Sequence, residues 1–339
     1  MTSSASSILE LFTAHWVSAV LASAVELRIF EELEVGTATA QQLSARSALS
    51  LRTVQTLLDG LVTLGLVTRD DSGKYDNSEI ASVHLVAGKP GYLGGFSRIL
   101  TGPGDGGMRQ WSMLPSALRQ GKPIAPETIV QPDSPFWPEL VKVLTPLSRE
   151  VAALAAELIG LPAGRKMSVL DIGGGAGAYS QVWLALDPQT TMTQLDWAPV
   201  NALARESLSA GGHGERFITV DGDLHSVPFT PQAYDVVILS NICHHESPEG
   251  NVEILRKIAP ALAAGGRVVI SEFTLHDDRS GPKFAALFGA GMLLQTPQGA
   301  SYCEADYQAW LEAAGFERAL VDRRHPISTL LVAKLRSGS

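Results

Sequence analysis

The sequence predicts a doubly wound α/β domain that closes in an antiparallel hairpin, preceded by a smaller α-helical unit. Three observations carry this. From Met167 onward, short β-branched runs at 168–172, 191–196, 217–221, 234–240 and 267–274 alternate with helical segments, which implies a parallel sheet covered on both faces. The last two runs, 316–322 and 328–334, are separated only by a turn at 323–326, so they pair antiparallel at the sheet edge. Residues 8 to about 95 read differently, as helices followed by a small hairpin.

Taken in order, 8–33 carries Leu9, Phe12, Trp16, Val20 and Val25 at helical spacing. Thr39 with Gln42 three residues on forms a capping box for a short helix at 40–46. A second helix from Ser50 puts Val54, Leu57, Leu58, Leu61 and Leu64 on one face, and Gly65 supplies its stop. Strand residues at 66–69, a turn at 70–73 and Lys74-Tyr75 complete a winged-helix order. Between 94 and 165, Gly and Pro break the chain at 101–107, 121–126 and 133–138. A helix at 139–159 follows, with a kink or break expected at Pro146. The expected domains are therefore 1–95, a helical connector at 96–165 that contributes to a substrate pocket, and 166–339.

Composition narrows the function. The 339 residues are 45% hydrophobic and 18% charged, an ordinary globular balance, with a formal net charge of -9. A nucleic-acid binder needs clustered cations for phosphates. The helix at 51–64 that would enter a groove has one, Arg52. An interface between copies explains the apolar first helix better, since so large an apolar face is costly in water. Residues 1–7 lack a basic region, so no secretory signal is expected. No uninterrupted apolar run reaches the roughly 18 to 20 residues of a bilayer span. The longest, 17–30 and 151–161, are broken by Glu26, Arg28 and Glu157. Cys243 and Cys303 have no CxxC spacing, so neither a disulfide framework nor a structural zinc is expected. A cytoplasmic protein is expected.

The chemistry concentrates at strand ends. In LDIGGGAG, 170–177, an apolar strand ends in Asp171 and a glycine loop leads into a helix. Glycines there admit a ligand against the backbone, next to the positive helix end. Gly173, Gly175 and Ala178 also satisfy the dinucleotide pattern G-x-G-x-x-A, so the loop alone does not choose between ligands. Asp171 does: a carboxylate there attracts the cationic amino-acid part of S-adenosylmethionine and repels a pyrophosphate. Asp196 ends the second strand, where either nucleotide ligand could use it as a ribose hydroxyl acceptor, and Asp223, just after the third, could accept from an adenine amino group, with Leu224 packing the ring. Each Asp alone is more often a turn residue. Three at successive strand ends beside a glycine loop read as a site.

With these residues in place, the chain resembles the two-domain small-molecule O-methyltransferases, which include plant caffeic-acid enzymes and bacterial natural-product tailoring enzymes. The resemblance covers nearly the whole length. It runs through LDIGGGAG, the LDW ending in Trp197, Gly222-Asp223, SNICHHESPEGNVEILRKIAPAL at 240–262 and EADYQAWLEAAGF at 304–316. FGAGMLL at 288–294 is also similar to the bacteriochlorophyllide methyltransferases. The resemblance implies a Rossmann-like class I methyltransferase domain behind a winged-helix dimerisation domain, with S-adenosylmethionine as cofactor, no metal, and a homodimer. It puts Asp171, Gly173, Gly175, Asp196, Trp197, Asp223, Leu224 and Ser240 at the cofactor, Ser240 standing where the family often has Lys. In the family's ICHDW run the histidine is a general base, and His244 falls on it. A phenol of pKa about 10 attacks a methyl sulfonium poorly until an imidazole near about 6.5 removes its proton.

The family's histidine-orienting carboxylates correspond to Asp277 and Asp306, each one methylene shorter than the family's Glu. Glu246 stands where the family has Trp. Trp137, Phe288 and Met292 are candidate substrate contacts, although aromatic and Met residues at helical spacing are usually core. His244 and His245 are adjacent and so make a poor chelating pair, which argues against a metal. Two other readings remain open. Methylation at nitrogen or carbon of a heterocycle would need no strong base. A regulator could sense S-adenosylmethionine and contact DNA through the winged helix. The acceptor and the position methylated are not legible.

Overall fold

A computed structural model describes residues 4–101, 107–124, 131, 134 and 136–336. The chain divides into two compact units, Met1–Arg109 and Gln110–Ser339, so the division falls inside the segment read as a connector.

In the first unit, Ser4 caps α1 (Ala5–Glu26) by accepting from the Ser7 N–H. The apolar periodicity of 8–33 continues past the helix end, but the chain turns at Arg28, whose φ of 59° is left-handed, and restarts as α2 (Ile29–Glu34). That turn lets Ile29, Phe30 and Leu33 enter the core, where they are at most 1% exposed. The Thr39–Gln42 capping box opens α3 (Ala40–Ser47) as predicted, and Ser50 caps α4 (Leu51–Thr63). Then come β1 (Val67–Arg69) and β2 (Tyr75–Asn77), an antiparallel pair, and α5 (Glu79–His84) and α6 (Phe96–Thr101). Leu43, Leu58 and Leu61 complete the core. The first half of α1 stays outside it: Leu9, Phe12 and Trp16 are 63%, 77% and 61% exposed. By length and composition α1 could cross a membrane, which counting uninterrupted apolar runs overlooked because Glu10 and His15 break the run.

The second unit begins within α7 (Gly107–Trp111), which spans the division, and continues through α8 (Leu114–Gln120) and α9 (Phe136–Ile159). The expected break at Pro146 does not end α9, whose apolar face carries Val143, Val151, Ala152 and Ala155 into the core. The α/β portion runs β3 (Met167–Ile172), α10 (Ala178–Leu186), β4 (Thr190–Asp196), α11 (Ala198–Ala210), β5 (Phe217–Asp221) and β6 (Tyr234–Ser240). It ends with α12 (Pro248–Ile258), β7 (Leu262–Glu272), α13 (Lys283–Gln295), α14 (Glu304–Ala313), β8 (Leu320–Asp322) and β9 (Thr329–Lys334).

The seven strands lie in the order β5-β4-β3-β6-β7-β9-β8, parallel from β5 to β7 and antiparallel where β9 meets β7 and β8. The terminal hairpin is therefore as predicted, but β8 is shorter than 316–322. The Ala319 N–H donates to Gln308 Oε1 at 2.9 Å and its C=O accepts from Gln308 Nε2 at 3.3 Å, so the residue leaves the ladder. Strand alternation divides the core: Leu170, Val237 and Ile270 face α12 and α14, while Val169, Val236 and Val269 face α9 and α10. The strand order reverses between β3 and β6, and in open sheets the crevice at such a reversal, beyond the carboxyl ends, takes the ligand.

Trp183 of α10 is 0% exposed and donates from Nε1 to Ala152 O of α9 at 2.8 Å, fastening α9 to the sheet layer. Trp183→Phe should lower unfolding stability by about 1–3 kcal/mol through lost packing and a lost bond. Urea denaturation should show a lower midpoint with an unchanged slope.

Candidate active site

The site is built where strand ends meet the glycine loop. Gly173 follows β3 with a φ of +67°, and a Cβ there would meet Ile242 Cδ1 at 2.3 Å. Only glycine fits that conformation and approach cheaply. The loop is pinned from β4: Asp196 Oδ2 accepts from the Gly175 N–H at 2.9 Å, and Asp196 Oδ1 from the Trp197 N–H at 2.7 Å. Asp223 Oδ1 accepts from the His225 N–H at 2.7 Å, holding the turn after β5.

Around this loop lies a cavity of about 310 Å³. Asp171, Gly173, Gly175 and Asp196 border it. Trp197, Asp223, Leu224 and Ser240 border it as well. Burial pushes the Asp171 carboxyl up to about 8, with the Asp196 carboxylate adding to the effect. Burial also raises Asp196 to about 6, against the opposing pull of its two backbone N–H donors. Both oxygens of Asp171 are buried without a donor from the described residues, and each oxygen of Asp196 keeps a lone pair. Such a set suits a ligand that brings positive charge and ribose hydroxyls. Among the described residues no Lys or Arg borders the cavity, so a pyrophosphate would find no counter-charge there.

After β6 the chain turns through Asn241, with a left-handed φ of 57°, into a short 3₁₀ turn, Cys243–His245. Its backbone is clamped by Asn251 Nδ2 on Cys243 O and by the Ala300 N–H on His244 O, both at 3.0 Å. His244 is 6% exposed, and its Nδ1 lies 2.7 Å from Glu272 Oε2. Glu272 Oε1 also accepts from the His244 N–H at 3.2 Å. Phe288 meets the imidazole edge-on at 4.8 Å between centroids, and Phe273 stacks at 6.1 Å.

The carboxylate on His244 is thus Glu272, not Asp277 or Asp306. Asp306 Oδ2 accepts from the Cys303 N–H at 2.8 Å, capping α14, and Asp277 Oδ1 accepts from the Ala305 N–H at 3.0 Å. Both short side chains are committed to the start of one helix. A signal for Glu272 was present: it ends β7 as Asp196 ends β4 and as Asp171 nearly ends β3, and the strand-end rule applied to every strand would have found it.

The substrate candidates separate. Trp137 borders this cavity, edge-on to Trp197 and to His245, each at 5.7 Å. Phe288 stands on His244, and Met292, one turn further along α13, is 3% exposed. His245 was not singled out for the cavity, yet it borders it while His244 does not, and the two rings lie 4.3 Å apart. Burial and the neighbouring His244 hold the His245 imidazole well below its usual range, so it is neutral.

The fold and the cavity define an α/β enzyme for a cationic nucleoside cofactor. Family models for an O-methyltransferase domain and an O-methyltransferase dimerisation domain match residues 153–317 and 9–87. The chain is 34% identical to 3-hydroxy-5-methyl-1-naphthoate 3-O-methyltransferase of Streptomyces sahachiroi, over 90% of this chain and 88% of that protein. It is 29% identical to the tetracenomycin polyketide synthesis 8-O-methyl transferase TcmO of Streptomyces glaucescens, over 91% and 90%. A structure of PigF with SAH superposes with a TM-score of 0.80 at 25% identity, covering 98% of this chain and 99% of that one. The chain belongs to the S-adenosylmethionine-dependent O-methyltransferases, with a helical dimerisation domain ahead of the class I α/β domain. Transfer to oxygen therefore displaces both the heterocycle nitrogen or carbon reading and the sensor reading.

Gly173→Ala should weaken adenosylhomocysteine binding about tenfold, because the left-handed conformation costs roughly 1–2 kcal/mol with a Cβ. Titration calorimetry on the folded variant checks it.

Proposed function

We propose that the enzyme methylates a hydroxyl of an aromatic, natural-product-like small molecule, with His244 as general base. One observation carries the reading: Glu272 takes Nδ1 of a buried histidine walled by Phe273 and Phe288. A carboxylate on Nδ1 makes that nitrogen the N–H donor and leaves Nε2 as the basic one. Among the described residues Nε2 has no hydrogen-bond partner, so it is available to a substrate hydroxyl. The phenylalanine walls favour a flat, uncharged ring. The relatives named for naphthoate and tetracenomycin chemistry support the same class.

When bound, S-adenosylmethionine supplies an electrophilic methyl on a sulfonium. Asp171, Asp196, Trp197, Asp223, Leu224 and Ser240 would hold it, and Gly173 and Gly175 would let it lie against the backbone. His244 removes the hydroxyl proton as the oxygen attacks, and Glu272 stabilises the resulting imidazolium. Trp137 and His245 shield the cofactor side, and Phe288 and Met292 belong to the acceptor side. His244→Ala should lower kcat by about 10²–10⁴-fold with little change in KM for S-adenosylmethionine. An acceptor screen of hydroxynaphthoates and phenolic polyketides, read by mass spectrometry, supplies the assay. Oxygen methylation that survives His244→Ala would rule out the base.

The partner is a second copy of the chain. The exposed face of α1, with Phe12 and Trp16, lies in the segment matched by the dimerisation model. That pairing accounts for the apolarity of α1 without a bilayer, in keeping with a cytoplasmic enzyme. The single cation on α4, Arg52, gives DNA little to bind. Replacing Phe12 and Trp16 by Glu should convert the dimer to the 36.0 kDa monomer in light scattering. A wild-type monomer would refute the pairing.

A further inference from the structure

The hydrogen bonds beneath the glycine loop leave one proton to be placed. Asn201 of α11 donates through Nδ2 to Asp196 O at 3.0 Å, Val220 O at 2.9 Å and Asp221 Oδ1 at 2.7 Å. All three are acceptors, so the amide cannot be turned over, and its Oδ1 must face Gln194. Gln194 Nε2 donates to that Oδ1 and to Gly175 O, both at 3.0 Å, which locks the second amide in turn. Gln194 Oε1 is thereby directed at Gly174. A Cβ on Gly174 would meet Gln194 Oε1 at 2.5 Å and Asp171 Oδ2 at 2.7 Å.

Asp171 and Gln194 are register neighbours on β3 and β4, and both are 0% exposed. Among the described residues no protein donor reaches Gln194 Oε1 or either oxygen of Asp171. An ionised carboxylate beside a fixed carbonyl sets acceptor against acceptor in a buried place. One proton turns the carboxyl into the donor that Gln194 lacks.

We propose that Asp171 is a carboxylic acid in the cofactor-free enzyme, its proton directed to Gln194 Oε1, and that it ionises when S-adenosylmethionine binds. The O–H bond of Asp171 breaks and the proton passes to solvent. Burial, and the Asp196 carboxylate on β4, favour the acid form before binding. From α10 the titratable neighbour is Tyr179, itself held neutral by burial, and on β6 the register partner is the uncharged Ile238.

S-Adenosylmethionine carries a sulfonium and an ammonium against one carboxylate, a net charge of about +1, which favours the carboxylate form of a neighbouring acid. Adenosylhomocysteine has no net charge. Methyl transfer therefore removes the sulfonium charge while the ammonium stays, the net positive charge that favoured the carboxylate is lost, and the carboxyl takes a proton back from solvent. The sign follows from linkage. Below the cofactor-free value near 8, affinity for S-adenosylmethionine rises with pH, by up to about tenfold per unit, and levels off above it. Affinity for adenosylhomocysteine stays nearly flat.

Calorimetric titration of the full chain at pH 7, in phosphate and again in Tris, counts the protons from the buffer dependence of the heat. Close to one proton should leave with S-adenosylmethionine and clearly fewer with adenosylhomocysteine. Asp171→Asn, whose amide still offers Gln194 Oε1 a donor, should release none. Binding of S-adenosylmethionine with no buffer dependence would mean a carboxylate already ionised and hydrated, and would overturn the proposal. A release unchanged in Asp171→Asn would overturn it by placing the proton elsewhere. Should that variant not fold, a wild-type affinity that is constant between pH 6 and 8 overturns it alone. In each of these failures the cofactor still binds, so the methyltransferase reading stands apart.

Discussion

The Asp196 carboxylate bears on both sides of the cofactor site. Its two oxygens accept from Gly175 and Trp197, so one side chain at the end of β4 fixes the glycine loop after β3 and the start of α11. The Asn201 amide then ties α11 back to Asp196 O and to the end of β5. Three strand ends and one helix are thus held by groups that also border the cofactor cavity or lie just beneath it. Ordering the loop before the ligand arrives saves conformational entropy on binding. It also concentrates buried acids, whose desolvation the fold must bear.

The adjacent histidines show how one turn serves two regions. His244 turns to Glu272 and the phenylalanine walls, while His245 turns to Trp137 and the cofactor cavity. Consecutive side chains diverge, which is why the pair makes a poor chelate and a useful partition. The clamps from Asn251 and Ala300 act on backbone carbonyls, so the turn is fixed without occupying either imidazole.

Much of this was legible in the sequence because it rests on local rules. The Thr39–Gln42 box, the alternation of strands and helices, and acids at strand ends each have a short-range signature, and the antiparallel close follows from one short turn. What escaped depends on distance. The break at Arg28 comes from Ile29 and Phe30 seeking the core, with no glycine or proline to announce it. Asp277 and Asp306 follow the motif spacing, but capping α14 uses their oxygens first. Glu272 reaches His244 across 28 residues of chain, a contact that no window along the sequence contains.

The same distinction explains why the cofactor side of the site reads more clearly than the acceptor side. A cofactor common to many enzymes is met by backbone, glycine and strand-end carboxylates, whose positions are set by the sheet itself. The proposed acceptor side holds Phe273 and Phe288, which pack on one another and on Phe284 at 4.9 to 6.2 Å between centroids. Apolar rings at helical spacing have the same pattern whether they line a pocket or fill a core, because burial drives both. Only the proximity of His244 to Phe288 gives that cluster a chemical direction. Under the proposed assignment, specificity for one acceptor comes from ring shape and from the few polar groups near His244, and these can change without disturbing the strand ends around the glycine loop.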